Sequence, residues 1–395
     1  MSLSINLTID DFDPLIAYTS PIQWTTPNPQ DNPSWFNQTQ EQTGSVWHEA
    51  TYHQTSFRGA EARFNFTGDS LDIYGFSNTS YQVIIDPSLD QPYTANITTK
   101  TAVSSTAESS SRASLFSSTS LSTNAKLTYA QHEVVIRNVG LPEGTGVLGL
   151  DYIVIGGIPV GGEGATLTNT TVDDNESRLR YTGDWTTNNV TDFWGGSSAY
   201  TDAPLASVSL NFSGTSLISI RCSATDVFTG SAIYVYGDQV NDHGYYAVYI
   251  NDTEMAYLTG RSGCASPEGD KSCEKLGGLH FFAGGLPEGE HDLRIENGGT
   301  EQNRTYFDLD RITYTTPSNY SARVPATDLT CPFVNCTATA STASSASSSS
   351  PVPSGTASSA QSASATPTSA ASVLRSGVAG VLAASVLSLG LWISL

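Results

Sequence analysis

The stretch ARFNFTGDSLDIYG (Ala62 to Gly75) decides how the chain is read, because most of it occurs a second time. Apolar and polar residues alternate on either side of Gly68, the pattern of two half-buried β-strands joined by a tight turn. Further on the chain carries VSLNFSG (Val208 to Gly214) and, separately, SAIYVYG (Ser231 to Gly237). Together these two pieces answer the first stretch, but they are not adjacent. Gly68 and Gly75 lie seven residues apart, and so do Gly230 and Gly237, whereas Gly214 and Gly237 lie 23 apart. The excess is sixteen residues, about Thr215 to Gly230, and it contains Cys222. One strand has two starts, NFSG and FTG.

The excess has two readings. Surface loops tolerate insertions, since closing a longer loop costs little. Alternatively it is a retained in-frame intron. Gly214-Thr215-Ser216 can be encoded GGT ACG TCN, which holds a GTACGT donor. Thr225-Asp226 can hold a CTGAC branch sequence, and Thr229-Gly230 an AG acceptor. Removal would rejoin NFSG to SAIYVYG and leave four cysteines.

Outward from this point the duplication extends over most of the chain. TIDDFDPLIAYTSPIQW (Thr8 to Trp24) answers TVDDNESRLRYTGDW (Thr171 to Trp185). Val46-Trp47 answers Phe193-Trp194, QHEVVIRN (Gln131 to Asn138) answers EHDLRIEN (Glu290 to Asn297), and LGLDYIVI (Leu148 to Ile155) answers FDLDRITY (Phe307 to Tyr314). Every match has the period of a strand, and α-helical patterning is nearly absent. The expected fold class is all-β: two tandem jelly-roll, galactose-binding-like β-sandwiches, residues 1–158 and 167–317. GGIPVGGEGA (Gly156 to Ala165) supplies a flexible linker, 159–166. Thr98 to Ser122 reads as a long surface loop matching the one that Cys264 and Cys273 close. Residues 318–372 carry a cysteine pair and a disordered Ser/Ala/Thr-rich stalk, and 373–395 a hydrophobic C-terminal helix.

The 395 residues carry a formal net charge of -21, which excludes a nucleic-acid partner by repulsion of phosphate. Asn-x-Ser/Thr sequons are dense, at Asn6, Asn37, Asn65, Asn78, Asn96, Asn169, Asn189, Asn211, Asn251, Asn303 and Asn319. They predict a glycoprotein of the secretory pathway. Cys264 with Cys273 and Cys331 with Cys336 read as two local disulfides, leaving Cys222 over. MSLSINLTIDDFD has neither a basic nor an apolar leader region, so a signal peptide is expected to be missing from this sequence. The end, SGVAGVLAASVLSLGLWISL (Ser376 to Leu395), has no cationic tail. It predicts association with the membrane, either through a GPI-type glycolipid anchor attached near Ser362 to Ser369, with Ser364 the chosen site, or through a single transmembrane helix. The expected location is the extracellular face of the plasma membrane or the cell wall.

GLDYIVI and FDLDRITY resemble the last strand of galactose-binding-like carbohydrate-binding modules. The paired-Asp first strand, the glycine-punctuated strands quoted above and DHGYYAVYIN (Asp242 to Asn251) resemble the tandem jelly-roll ectodomains of basidiomycete fungal surface proteins. The resemblance covers roughly Thr8 to Tyr314. It implies a structural calcium held by an acidic residue of the first strand and the Asp of the last. By position these are Asp10 or Asp11 with Asp151, and Asp173 or Asp174 with Asp310. Asp also commonly caps turns, which is the competing reading. The resemblance also implies a polysaccharide or glycan partner, of the cell wall or extracellular matrix.

Sugar rings pack their C–H faces on aromatic planes. Candidate ligand-binding residues are Trp35, Phe36, Tyr52, Tyr200, Tyr245 and Tyr246. The paired tryptophans Trp24 with Trp185 and Trp47 with Trp194 read rather as core. Support for catalysis is poor. HEATYH (His48 to His53) has the wrong spacing for a helical zinc site, and no G-x-S-x-G elbow exists. The sequence therefore predicts a noncatalytic cell-surface glycoprotein that binds polysaccharide. The alternatives are a structural coat protein without ligand and a glycan-acting hydrolase.

Overall fold

The computed structural model describes residues 2–19, 23–26, 47–98, 112–120, 126–210, 228–229, 231–261, 274–298, 306–320, 329 and 331–334. Met1–Ala338 form one compact unit, and the second unit, Thr339–Leu395, lies outside the described residues. So do Trp35, Phe36, Asn37, Asn211, Cys222, Cys264, Cys273, Asn303, Cys336 and Ser364. Among the described residues there is no α-helix, and no helix is long and apolar enough to cross a membrane.

The first module consists of β1 (Leu3–Asp10), β2 (Ala17–Tyr18), β3 (His53–Thr55), β4 (Glu61–Gly68), β5 (Ser70–Ser77), β6 (Ser80–Ile85), β7 (Tyr93–Ile97), β8 (Ala113–Ser117), β9 (Ala130–Gly140) and β10 (Leu148–Gly161). They pair as two five-stranded sheets, β1-β10-β5-β8 with β3 on β10, and β2-β4-β9-β6-β7. The second module consists of β11 (Leu167–Asp173), β12 (Leu179–Thr182), β13 (Thr186–Asn188), β14 (Ser198–Thr201), β15 (Ser207–Leu210), β16 (Phe228–Thr229), β17 (Ala232–Gln239), β18 (Tyr245–Ile250), β19 (Thr253–Thr259), β20 (Lys275–Gly284), β21 (Glu290–His291), β22 (Leu293–Asn297), β23 (Phe307–Leu309) and β24 (Arg311–Pro317). Its main sheets, β11-β24-β17-β20 and β12-β15-β22-β18-β19, repeat the order of the first module strand for strand. β14 on β23 repeats β3 on the start of β10.

Glycine fixes the register. Gly75 lies so close to β10 that a Cβ would sit 2.1 Å from the Gly149 carbonyl oxygen. Gly237 stands in the same relation to β23, 2.3 Å from the Asp308 carbonyl oxygen. Gly149 and Asp308 are the second residues of the matched segments LGLDYIVI and FDLDRITY, so the two close approaches are equivalent. Only glycine fits such a site. Alternation does the rest: Phe64 and Phe66 enter the first core, and Tyr246, Val248 and Ile250 the second.

The doubled start is resolved by pairing. In the first module Phe66 and Thr67 oppose His132 and Gln131. In the second, Phe228 and Thr229 oppose the matching His291 and Glu290. Leu210 still occupies the place of Phe64, since Ser209 opposes Arg294 as Arg63 opposes Val135. The strand therefore uses its second start. The sixteen extra residues lie at 212–227, three positions before the expected 215–230.

Three other expectations need correction. The glycine stretch expected to be a linker is mostly strand. β10 continues to Gly161 and pairs with β1, with Ile158 and Val160 fully buried, so the connection shrinks to 162–166. Part of the expected loop 98–122 is β8, whose Leu115 and Phe116 enter the core. Finally, Trp47 matches Phe193 rather than Trp194. Both precede a short 3-10 turn and are buried, while His48 and Trp194 each donate the backbone N–H that follows.

The modules pack directly on each other. Ala232 and Leu279 of the second belong to the first module's core cluster, and Gly284 leaves room for the Ile158 side chain.

Candidate functional site

The paired aspartates organise a corner that both modules build alike. Asp11 N–H donates to the Asp151 carbonyl at 2.9 Å, as Asp174 N–H does to Asp310 at 3.1 Å. The hydroxyl of Tyr18 donates to the Asp11 carbonyl at 2.6 Å, and that of Tyr181 to Asp174 at 2.7 Å. Thr51 and Ser197 donate to the Asp11 and Asp174 carboxylates at 2.7 and 2.8 Å. The Asp151 and Asp310 carboxylates each accept a backbone N–H from the 3-10 turn, from His48 at 2.7 Å and Trp194 at 2.9 Å.

Protein cations meet several of the carboxylates that the resemblance assigns to calcium, while Asp10 Oδ1 and Asp151 Oδ2 are buried without a hydrogen-bond partner. Asp10 is met by Lys275, which reaches in from β20 of the other module and also holds Glu49 at 2.7 Å. The second oxygen of Asp11 faces His53 Nδ1 at 2.6 Å. Arg112 approaches Asp151 at 3.7 Å, and Arg311 pairs with Asp310 at 2.5 Å. Asp173 donates its backbone N–H to Glu176, and its carboxylate Oδ1 is buried without a hydrogen-bond partner. The corners thus use protein cations, and among the described residues no group of three His, Cys, Asp or Glu is arranged for a metal. Burial pushes Asp13 up to about 8, Asp151 to about 7 and Asp310 to about 6. Burial alone would lower Lys275, but Asp10, Glu49 and Asp13 override it and hold it well above the usual range.

The candidate aromatics separate by burial. Tyr246 is withdrawn as a ligand contact: it is fully buried, with its hydroxyl on the His280 carbonyl at 2.7 Å. Tyr81 repeats this in the first module, donating to Leu115. Tyr52 is half-buried against Trp47 and Phe76, and Tyr200 is half-buried near Tyr306. Of the paired tryptophans, Trp24 and Trp47 are core, Trp185 is half-buried, and Trp194 is 55% exposed beneath Arg311.

Tyr245 is on the surface, 40% exposed, and it does not stand alone. Tyr257, 54% exposed, lies parallel to it with ring centroids 5.3 Å apart. Tyr257 opposes Ala247, so it is the diagonal neighbour of Tyr245 across β18 and β19. On the same face Tyr249 carries the Arg294 guanidinium 3.8 Å from its ring, and Glu296 holds that guanidinium at 2.5 Å. Registers place Gln82, Ile84 and Asn96 of the first module where Ala247, Tyr249 and Tyr257 stand in the second. Here the buried face is duplicated and the outer face is not, and the exposed tyrosine pair makes the outer face of β18-β19-β22 the candidate site. Sequence reasoning missed Tyr257, Tyr249 and Arg294. The strand period from Tyr245 to Tyr249 was a usable signal for one of them.

β19 also borders a cleft of about 620 Å³ between the modules. Its walls include Arg63, Asn65, Gln131 and Glu133 from the first module, and Met255, Tyr257 and Phe282 from the second. Among the described lining residues Glu133 is the one carboxylate, 3.5 Å from Arg63.

Asn6, Asn65, Asn96, Asn169, Asn189, Asn251 and Asn319 are exposed, and Asn78 is half-buried. Cys331 is disulfide-bonded, and the other four cysteines lie outside the described residues.

No family model matches the chain. Over 149 residues it is 31% identical to "A type blood alpha-D-galactosamine galactosaminidase" of Flavonifractor plautii, covering 38% of this chain and 11% of that protein. The chain thus spans about a tenth of that relative's length. Among solved structures it is similar to the tandem CBM22 domains of Paenibacillus barcinonensis Xyn10C, at 10% identity and TM-score 0.23, covering 68% of this chain and 87% of that one. It is also similar to the ANXUR2 extracellular domain of Arabidopsis thaliana, at 7% identity and TM-score 0.24, covering 82% and 100%. At these TM-scores the neighbours add nothing to the strand pairings as support for the fold.

Proposed function

We propose that the chain is a noncatalytic, glycosylated cell-surface protein that binds extracellular polysaccharide through the outer face of β18-β19-β22. The observation that carries this reading is the exposed Tyr245–Tyr257 pair beside the Tyr249–Arg294 stack, on an outer sheet face where the repeats diverge. Aromatic planes match the C–H faces of sugars, and the neighbouring Arg and Glu offer hydrogen bonds to hydroxyls. Arg294 is neutralised by Glu296, so the face suits a neutral glycan. The sequons and the disulfide at Cys331 support passage through an oxidising, secretory compartment.

The stretch related to a galactosaminidase favours a glycan-linked role and keeps a second reading open, that of a glycan-acting enzyme. Glycoside hydrolysis ordinarily needs two carboxylates flanking one bond. The candidate face offers Glu296 tied to Arg294 and the exposed Glu254 opposite Tyr249, and the cleft offers Glu133 near Arg63. A binding screen on neutral polysaccharides, followed by assay for released reducing ends, separates the readings. Retention without turnover is expected; turnover that survives purification would establish the enzyme instead.

A further inference from the structure

One residue lining the inter-module cleft is marked by the sequence for covalent modification. Asn65 begins the sequon Asn65-Phe66-Thr67 on β4. Phe64 and Phe66 point into the core, so Asn65 is exposed on the opposite face and faces the cleft. The second module lines the same cleft with Met255 and Tyr257, 49% and 54% exposed, and with Phe282 and Leu286. That wall is apolar. Asn65's own side of the cleft mixes the polar Arg63, Gln131 and Glu133 with the apolar Leu15, Phe64 and Phe66. None of the other exposed sequon asparagines lines this cleft.

We propose that the cleft is the seat of an N-linked glycan carried by Asn65. Attachment at Nδ2 would place the first sugars between the modules. Their C–H faces would lie on Met255 and Phe282, leaving the Tyr257 ring paired with Tyr245, and their hydroxyls would reach Arg63, Gln131 and Glu133. A cleft of about 620 Å³ is of the size that holds a small ligand. Tethering raises the effective concentration of the sugar in the cleft to about the millimolar range. Asn96 provides an internal control. It lies on the same outer sheet face, at β7, and outside the cleft lining.

The inference shares with the proposed function the passage through a secretory pathway, and it does not depend on ligand binding. The test uses the full chain, secreted from a eukaryotic host behind an added leader. It is treated with endoglycosidase before and after denaturation, and each site is read by glycopeptide mass spectrometry. The glycan on Asn65 is expected to survive in the native protein and be released only after denaturation, while that on Asn96 is released from both. Asn65→Gln is expected to lower the thermal midpoint, and Asn96→Gln to leave it unchanged. Asn65 bare beside an occupied Asn96, or equal native release at both, would overturn this inference alone. Bare asparagines at every sequon would overturn it together with the secretory reading.

Discussion

Tyr257 carries its ring in the open although half of an edge strand's side chains turn inward, and it does so parallel to Tyr245. Removing either ring takes away a platform without touching the core. Tyr245→Ala and Tyr257→Ala are each expected to weaken glycan binding by about 1–2 kcal/mol, roughly 5–30-fold in Kd, with the melting curve unchanged. Lys275 is the opposite case. It is buried between the modules against Asp10, Asp13 and Glu49. Lys275→Met leaves buried carboxylates without their cation and is expected to cost about 3–5 kcal/mol by denaturant unfolding. Adding Asp10→Asn should restore part of that loss, and chelator should change nothing in the parent protein. The paired aspartates were legible in the sequence as a special position. Their chemistry was not, because the cation comes from a residue 265 positions away along the chain.

The raised carboxylates give a pH dependence with a definite sign. Asp13, Asp151 and Asp310, at about 8, 7 and 6, bind protons in the folded state that they would release when unfolded. Where that holds, stability falls as pH rises. His243 acts in the same direction. Burial opposes its charge, but Asp238 and Asp242 raise it to about 10, so the stability it adds below its unfolded value is lost as pH climbs toward 10. His280, lowered by burial to about 4, opposes them on acidification below its unfolded value of 6.5. The thermal midpoint is therefore expected to be higher at pH 6 than at pH 8. A lower midpoint at pH 6 would show that the corners ionise without cost.

Among the elements, β5 and β17 show what a repeated sequence makes visible. Gly75 and Gly237 were found as matching positions, and the structure gives them one physical cause, a backbone carbonyl within 2.1 and 2.3 Å of the missing Cβ. Gly75→Ala or Gly237→Ala is expected to destabilise by about 1–3 kcal/mol, because backbone and not a flexible side chain must give way. At β16 the sequence leaves two starts for one strand. NFSG and FTG fit the pattern equally well, and alternation cannot choose between them; only the partner strand β21 does. The same blindness made the end of β10 look like a linker, since glycines there mark a bulge beside β1 and not a free hinge. Deleting 212–227 joins Asn211 directly to Phe228 and is expected to leave folding intact. If Thr215 to Gly230 is a retained intron, mature transcripts lack those sixteen codons, and reads covering them would leave a loop insertion instead.

For the whole molecule, two sandwiches of the same topology share one compact unit, and the surface that distinguishes them is aromatic on the second. The net charge of -21 disfavours anionic polymers, and on the candidate face Glu296 neutralises Arg294 while Glu254 adds a negative charge. Binding should accordingly be selective for neutral glycans and little affected by salt. The measurement that bears most directly on this account is a neutral-polysaccharide array probed with the parent protein and with Tyr245→Ala/Tyr257→Ala, both shown by melting to be folded. Retention by the parent on at least one neutral glycan, lost in the variant and insensitive to salt, is the predicted result. Silence of the parent across the array, or binding that survives loss of both tyrosines, would contradict it.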